Sequence, residues 1–333
     1  MASRDHVEKA LKSRGIETKL VNRFEYTDDN IDWADVIVTS GGDGTFLMAA
    51  TKVYSDKPII GVNSDPSRSV GYLCLPKQYS NNFDEALKLL EEGNFKWKYR
   101  QRIRITLEGE NAFDDPIELY NQQLNSPEYR FLDLEGKAVG TPEKSLPSLN
   151  DELNAQSNQQ RVLPFRALNE VFIGESLSSR VSYYEFALDD KPKNKLKSSG
   201  VTICTGTGST SWSFNINKVT PQCVENIFRL VNEEIGAKIP NDEKLIQRVT
   251  DRFNSSLLFD PSLPVMGYTI RDPVVFGTDF NNHPRGYAKK IEIKSRMFDA
   301  CVVIDGGLSY KFNDGSKATF ELFEEDVIRT IAL

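Results

Sequence analysis

Asp35-Val36-Ile37-Val38-Thr39-Ser40-Gly41-Gly42-Asp43-Gly44-Thr45 decides the fold. A short apolar strand runs directly into glycines, and residues 45–54 then pattern as a helix. Upstream, residues 5–14 place Val7, Ala10 and Leu11 at helical spacing, with Gly15 as the stop. Ile16-Glu17-Thr18-Lys19-Leu20-Val21 alternates like a strand. Downstream, Pro58-Ile59-Ile60-Gly61-Val62 is a second buried strand, and residues 82–93 set Phe83, Ala86, Leu87 and Leu90 on one helical face. Strands alternating with helices imply an α/β unit around an open, mostly parallel sheet.

Near residue 98 the period changes. Arg102-Ile103-Arg104-Ile105-Thr106-Leu107 alternates strictly, as do residues 181–188, 291–293 and 300–304. Helical patterns survive over residues 221–235 and 242–254. This half is mainly β, with antiparallel strands that keep one face wet. The domains are therefore 1–98 and 99–333. Residues 111–161, rich in Asn, Gln, Ser, Pro and Glu without an apolar period, are expected to be a mobile insertion, with a functional lid as the alternative.

Composition narrows the chemistry. The chain has 333 residues, 41 Lys plus Arg against 48 Asp plus Glu, a net charge of −7 and only 2 His. At this length about three quarters of the unfolded surface can be buried, so disulfides are not required. No run approaches the roughly 20 apolar residues that span a bilayer, and no apolar signal core follows Met1. No membrane partner is expected. Acidity removes any general attraction to nucleic acid, whose affinity rests on phosphate neutralisation. With only His6 and His283, a three-histidine zinc site is impossible. Cys74, Cys204, Cys223 and Cys301 are dispersed and form no CxxC pair, so buried free thiols are expected. Carboxylates, hydroxyls, amides and backbone are left to carry the chemistry.

The glycine loop suits phosphate. Glycines reach backbone angles that other residues avoid and leave room for a ligand. The helix that follows offers free N–H groups and a positive dipole end. At the end of a parallel strand this is where α/β folds bind ligands. The embedded Asp43 does not help a phosphate to bind. Either it accepts a proton from an attacking hydroxyl or holds a metal, or it merely caps the helix in a tight Gly-Asp-Gly turn.

Gly41-Gly42-Asp43-Gly44-Thr45 after a buried strand resembles the signature shared by NAD kinases, diacylglycerol and sphingosine kinases, and 6-phosphofructokinases. Further segments select among them. Gly61-Val62-Asn63-Ser64-Asp65, leading to Gly71-Tyr72-Leu73, is similar to the NAD kinase pattern GxNxGxLGFL with a few residues inserted. Asn169-Glu170-Val171 resembles that family's Asn-Glu/Asp pair. Cys204-Thr205-Gly206-Thr207-Gly208-Ser209-Thr210-Ser211-Trp212-Ser213 resembles its TPTGSTAYS run, and Val303-Ile304-Asp305-Gly306-Gly307 its DGQ turn. The order matches over residues 35–310. Lipid kinases share the first motif and lack the GTGST-type run. The Asn169 and Cys204 segments, with Asn63-Ser64-Asp65-Pro66 and Leu73-Cys74-Leu75-Pro76, look most like the animal mitochondrial branch.

The resemblance implies a Rossmann-like N-terminal domain, a β-rich C-terminal domain, and NAD in the cleft between them. The implied reaction moves the γ-phosphoryl of ATP to the adenosine 2′-hydroxyl of NAD. Asp43 becomes the candidate general base, with Gly41, Gly42, Gly44 and Thr45 as donors to phosphate oxygens. By the same resemblance Asn63, Asn169, Glu170, Thr207, Thr210, Ser211, Trp212 and Asn215 bind NAD, Trp212 by stacking on a base and Glu170 by accepting ribose hydroxyls. Mg²⁺ is expected to arrive with ATP, without assigned ligands; Asp65 is a candidate second carboxylate and Arg68 a candidate cation. A homodimer and a location in the mitochondrial matrix, with the transit peptide absent from the chain, are further expectations. There are departures from the family pattern. Gly206 stands for a usual Pro and Asn215 for a frequent Ser. The stretch Asp272-Pro273-Val274-Val275-Phe276 lacks the His of many bacterial members. A non-catalytic NAD-sensing module is the alternative from a different functional class.

Overall fold

The computed structural model describes residues 2–54, 56–120, 160–274 and 283–333. Its N-terminal unit holds α1 (Ala2–Ser13), α2 (Asp28–Trp33), β1 (Ile37–Ser40), α3 (Asp43–Thr51), β2 (Ile59–Val62), α4 (Gln78–Asn81) and α5 (Phe83–Glu91). β1 and β2 pair in parallel, Ile37 opposite Ile59 and Ser40 opposite Val62. Phe46, Ala50, Val53 and Ile59 fill one core, and Val62, Phe83 and Ala86 a second, all with no exposure. The α/β architecture is as expected, but among the described residues its parallel sheet has only these two strands. Residues 16–21 are extended without forming a strand. Ile16 and Leu20 are 42% and 50% exposed, so their alternation has no apolar surface to cover and no neighbouring edge to pair with.

The chain then forms β3 (Lys96–Arg100), β4 (Ile103–Glu108), β5 (Ile117–Glu118), β6 (Gln160–Val162), β7 (Glu170–Glu175), β8 (Ser182–Leu188), β9 (Asn194–Ser198) and β10 (Val201–Cys204). α6 (Trp212–Asn217), α7 (Pro221–Ile235) and α8 (Glu243–Ser255) follow. β11 (Met266–Ile270), β12 (Arg285–Ala288), β13 (Lys290–Ser295), β14 (Ala300–Ile304), β15 (Leu308–Lys311), β16 (Lys317–Leu322) and β17 (Ile328–Ala332) complete it. A seven-stranded sheet in the order β12-β11-β10-β7-β14-β15-β5 and a six-stranded sheet β6-β4-β16-β13-β8-β9 enclose the largest core. Ile103 and Ile105 on β4, and Val171 and Ile173 on β7, point into it with no exposure. β7 therefore turns Glu170 and Phe172 to the opposite face, where α6 lies. Residues 121–159 of the expected insertion lie outside the described residues.

Two features lock the units together. β17 pairs with β3, and its Ile328 and Ile331 join the N-terminal cores. Arg102, 1% exposed, donates to the carbonyls of Ala50 at 2.8 Å, Val53 at 2.6 Å and Asp326 at 2.6 Å. A guanidinium at the carbonyl end of α3 satisfies groups the helix itself cannot, and suits its dipole. It also fixes the helix whose other end carries Asp43. The cysteines are all free; Cys204 is buried, but Cys223 is exposed, against expectation, because it sits in the first turn of α7, a helix whose one buried residue is Val224.

Candidate functional site

β1 delivers the glycine loop to the start of α3. Gly42 is the N-cap in extended conformation, and the amides of Asp43 and Gly44 have no backbone partner among the described residues. Of the two reasons expected for the glycines, backbone angle and room, only the second holds. None of Gly41, Gly42 and Gly44 has positive φ. A Cβ on Gly41 would lie 2.2 Å from the Thr45 hydroxyl, whereas a Cβ on Gly44 would meet nothing within 4 Å. Room, rather than backbone angle, is what the loop requires.

Asp43 does not cap its helix: no side-chain cap bond forms there. Its carboxylate reaches across to the next loop instead. Oδ2 accepts from the Tyr72 amide at 3.1 Å and Oδ1 from the Leu73 amide at 2.8 Å. The two amides fix both oxygens in one plane. Gly71, at φ 69, makes the turn that aims them. Asn63, 2% exposed, organises the same loop: its amide donates to Ser69 O at 3.0 Å and accepts from Asp65 N at 3.0 Å and Ser69 Oγ at 3.2 Å. The Ser67 hydroxyl, 2.5 Å from Asp65 Oδ1, holds that carboxyl below its usual range. Arg68 is an exposed partner of Asp65 at 3.6 Å.

A second set of groups forms at one end of the seven-stranded sheet. Asp305, in left-handed backbone at φ 47, closes the turn after β14. Its carboxylate accepts from the amides of Leu168 at 2.8 Å, Asn169 at 2.8 Å and Glu170 at 3.0 Å. The residue's backbone is partly open, but the carboxyl is enclosed, and burial outweighs those three donors to push it up to about 6. Glu170, at the head of β7, pairs in register with Cys204 on β10 and accepts from Ser211 Oγ at 2.7 Å. Burial pushes its carboxyl up to about 7, with the nearby Asp305 charge adding to the rise. The Asn169 side-chain oxygen is buried without a hydrogen-bond partner among the described residues. Such an orphaned acceptor costs about 1–3 kcal/mol until a donor reaches it.

The turn after β10 is built by close approach. A Cβ on Gly208 would lie 2.0 Å from the Asn169 carbonyl oxygen, and one on Gly206 2.3 Å from that of Asp260. Contact with the backbone at Asp260–Pro261 therefore does here what a proline's stiffness does in the family pattern. Thr205 ties the turn down through its amide to Asn169 O at 3.0 Å and its hydroxyl to Leu168 O at 2.5 Å. The following short helical turn, Gly208–Thr210, leads into α6. Trp212 is 39% exposed, packs against Phe172 at 5.6 Å and has the Arg271 guanidinium 5.3 Å from its ring centre. Thr210 and Asn215 are exposed, the latter bonded to Ser211 O at 3.0 Å and Lys218 Nζ at 2.9 Å.

Arg100 joins the two halves. It is 5% exposed and donates to Thr207 Oγ1 at 3.1 Å and Thr330 Oγ1 at 3.3 Å. Burial pulls its guanidinium down to about 10, against the opposing pull of the Asp43 and Asp260 carboxylates. The structure thus groups Asp43 with residues 72–73, and Glu170 with Ser211 and Asp305, with Arg100 and Thr207 between. Asn63 uses its amide within its own loop. Sequence reasoning overlooked Arg100 and the carboxylate role of Asp305. The signals were Lys96, Lys98 and Arg100 at alternate positions of one strand, and an Asp before Gly-Gly, a pair suited to left-handed backbone. Among the described residues no group of three or more His, Cys, Asp or Glu could hold a metal ion. His283 is exposed, and residues 275–282 lie outside the described residues.

Comparison with known proteins identifies the family and the fold. Residues 5–95 match the family model for the ATP-NAD kinase N-terminal domain. The chain is 44% identical over 330 residues to the rat protein "NAD kinase 2, mitochondrial", covering 99% of this chain and 75% of that one. The human protein of the same name is also 44% identical, with 72% of its length covered. Among solved structures, an Archaeoglobus fulgidus NAD kinase in complex with ATP superposes with a TM-score of 0.57 at 18% identity, covering 100% of this chain and 89% of that one. A yeast NADH kinase complexed with NADH gives 0.56 at 15% identity, covering 92% and 63%. At those identities the two structures establish the fold.

Proposed function

The chain belongs to the NAD kinase family, and we propose that Asp43 is the general base of its reaction. It phosphorylates NAD with ATP to give NADP. Phosphoryl transfer needs positioning and charge neutralisation more than covalent chemistry. The observation that carries the assignment is the Asp43 carboxylate, held by the amides of Tyr72 and Leu73 at the opening of α3. Each oxygen accepts one N–H and keeps a lone pair for the 2′-hydroxyl. The proton passes from that hydroxyl to Asp43 as its oxygen attacks the γ-phosphorus, and the bond to the β–γ bridging oxygen breaks, releasing ADP.

Residues 1–98 supply the phosphate loop and residues 99–333 the nucleoside subsites in this proposal. Gly41, Gly42, Gly44 and Thr45 face the phosphates, with the open space at Gly44 and the free amides of Asp43 and Gly44 in support. Asn169 offers its orphaned oxygen to a base amino group. Glu170 and Ser211 take ribose hydroxyls, Thr207 and Thr210 line the turn, and Trp212 with Asn215 forms the outer wall. Asn63 acts by shaping the loop that carries Tyr72 and Leu73. Mg²⁺ would arrive on ATP's phosphates, where it would lower their charge repulsion. The relatives' names support a mitochondrial location, for which we propose the matrix. The homodimer rests on the family resemblance, and sedimentation tests it. A crystal structure with NAD bound tests the base assignment. The 2′-oxygen is expected within about 2.6–3.2 Å of Asp43; a different carboxylate at that distance would remove Asp43 from the role.

A further inference from the structure

Three arginines are buried among the described residues: Arg100, Arg102 and Arg166. Arg102 also has no carboxylate within 4.0 Å among the described residues, but its Nε and Nη1 reach three carbonyl oxygens, two of them at the end of α3. Arg166 lies 2.9 Å from Asp326 Oδ1 and donates to Leu163 O at 2.5 Å. Arg100 differs. Its only partners among the described residues are two neutral hydroxyls, those of Thr207 and Thr330, and no carboxylate there comes within 4.0 Å. Two of its three guanidinium nitrogens are engaged, Nε and Nη1, and Nη2 donates to nothing described. A buried cation whose only contacts are two hydroxyls is costly to desolvate, and unlike Arg102 it closes no helix end.

Lys98 repeats the pattern one step outward. It lies on the same face of β3, two residues before Arg100, is exposed, and has no ion-pair partner among the described residues. Burial, and after it the Arg100 charge, lowers the proton affinity of Lys98. Asp260, whose charge acts on both cations, turns its Oδ1 to Ser262, accepting from the amide at 2.8 Å and the hydroxyl at 2.5 Å. The track therefore runs from solvent to Thr207 as two positive charges with no described carboxylate in direct contact, within the electrostatic reach of Asp43 and Asp260. In a chain of net charge −7, that is where a polyanion is attracted.

We propose that Arg100, with Lys98 outside it, binds a phosphate chain of the substrates during transfer, Arg100 Nη2 donating directly to a phosphate oxygen. The proposal rests on the assignment of this cleft as the nucleotide site. Guanidinium is the group suited to forked contact with phosphate, and ammonium acts as a point charge. Both ATP and NAD carry phosphate chains, so the kinetics must distinguish them.

Steady-state kinetics of Lys98→Gln and Arg100→Lys, with KM for ATP and for NAD measured separately at low and high KCl, tests it. Lys98→Gln is expected to raise one of the two KM values about three- to tenfold and to flatten its dependence on KCl. Arg100→Lys keeps the charge and loses the fork, and is expected to raise the same KM about tenfold or more and to lower kcat. A rise confined to ATP assigns the triphosphate; one confined to NAD assigns the diphosphate. The proposal fails if both variants keep both KM values within twofold, or if Arg100→Lys lowers only the melting temperature. Should Arg100→Lys not fold, Lys98→Gln decides by the same outcomes, since its side chain is exposed. Asp43→Asn and Glu170→Gln are run alongside. If those lose activity while the Lys98 and Arg100 variants do not, the cation assignment alone is wrong; if all four retain it, the site assignment is wrong.

Discussion

Replacing Glu170 by Gln should stabilise the protein at neutral and alkaline pH while impairing it as an enzyme. Burial raises the Glu170 carboxyl from its ordinary 4.5 to about 7 in the folded chain. Below pH 4.5 the folded and unfolded chains both hold the proton, and nothing is lost. As pH rises toward 7 the unfolded chain releases its proton and the folded chain does not, so stability falls through that window and levels off above it. Each tenfold in proton affinity is worth about 1.4 kcal/mol. The penalty is then about 1 kcal/mol at pH 5 and about 3 kcal/mol at pH 8. The enclosed Asp305 carboxyl acts in the same direction, because its charge repels that of Glu170. Glutamine keeps an oxygen for the Ser211 hydroxyl and carries no charge to desolvate. Urea unfolding of both proteins at pH 5 and pH 8 measures the difference, which should grow by about 2 kcal/mol. NAD affinity should move oppositely: in the parent it strengthens as pH passes 7 and Glu170 ionises, and in the variant it stays weak and flat. A stability difference that is the same at both pH values would refute the reasoning.

Gly208→Ala would place a methyl 2.0 Å from the Asn169 carbonyl oxygen, so turn and strand must separate by about 1 Å. Overpacking of this kind costs about 1–3 kcal/mol, and displacement on that scale about a hundredfold in kcat/KM; thermal melts and coupled assays read both. Gly206→Ala, facing the Asp260 carbonyl at 2.3 Å, should behave alike. Arg102→Leu removes the side-chain donor from the carbonyls of Val53 and Asp326 and leaves Ala50 O only its backbone donors, and should lower unfolding free energy by about 2 kcal/mol or more in urea titration.

Much of this was legible in the sequence because it is local. The strand-glycine-helix junction, the α7 and α8 helices and the alternation of β4, β8 and β14 all follow from short-range period and punctuation. Residues 16–21 failed because alternation says nothing about whether an edge is near. The site was legible as a set of motifs but not as a network. That Asp43 faces residues 72–73 depends on a turn at Gly71. That Arg100 meets Thr207, or Asp305 the amides of 168–170, joins residues more than a hundred positions apart. At the first loop the glycines were located correctly, and of the two reasons given for them room holds and backbone angle does not, since the two cannot be told apart before the loop's packing is known.

The central claim is that one carboxylate takes the proton from the attacking hydroxyl. Single-turnover conversion of NAD to NADP with ATP, in the parent chain and in Asp43→Asn with NAD binding measured in parallel, tests it most directly. Unchanged NAD affinity and a rate lower by about 10²–10⁴-fold are expected. A variant that binds NAD and transfers phosphoryl at the parent rate would contradict it.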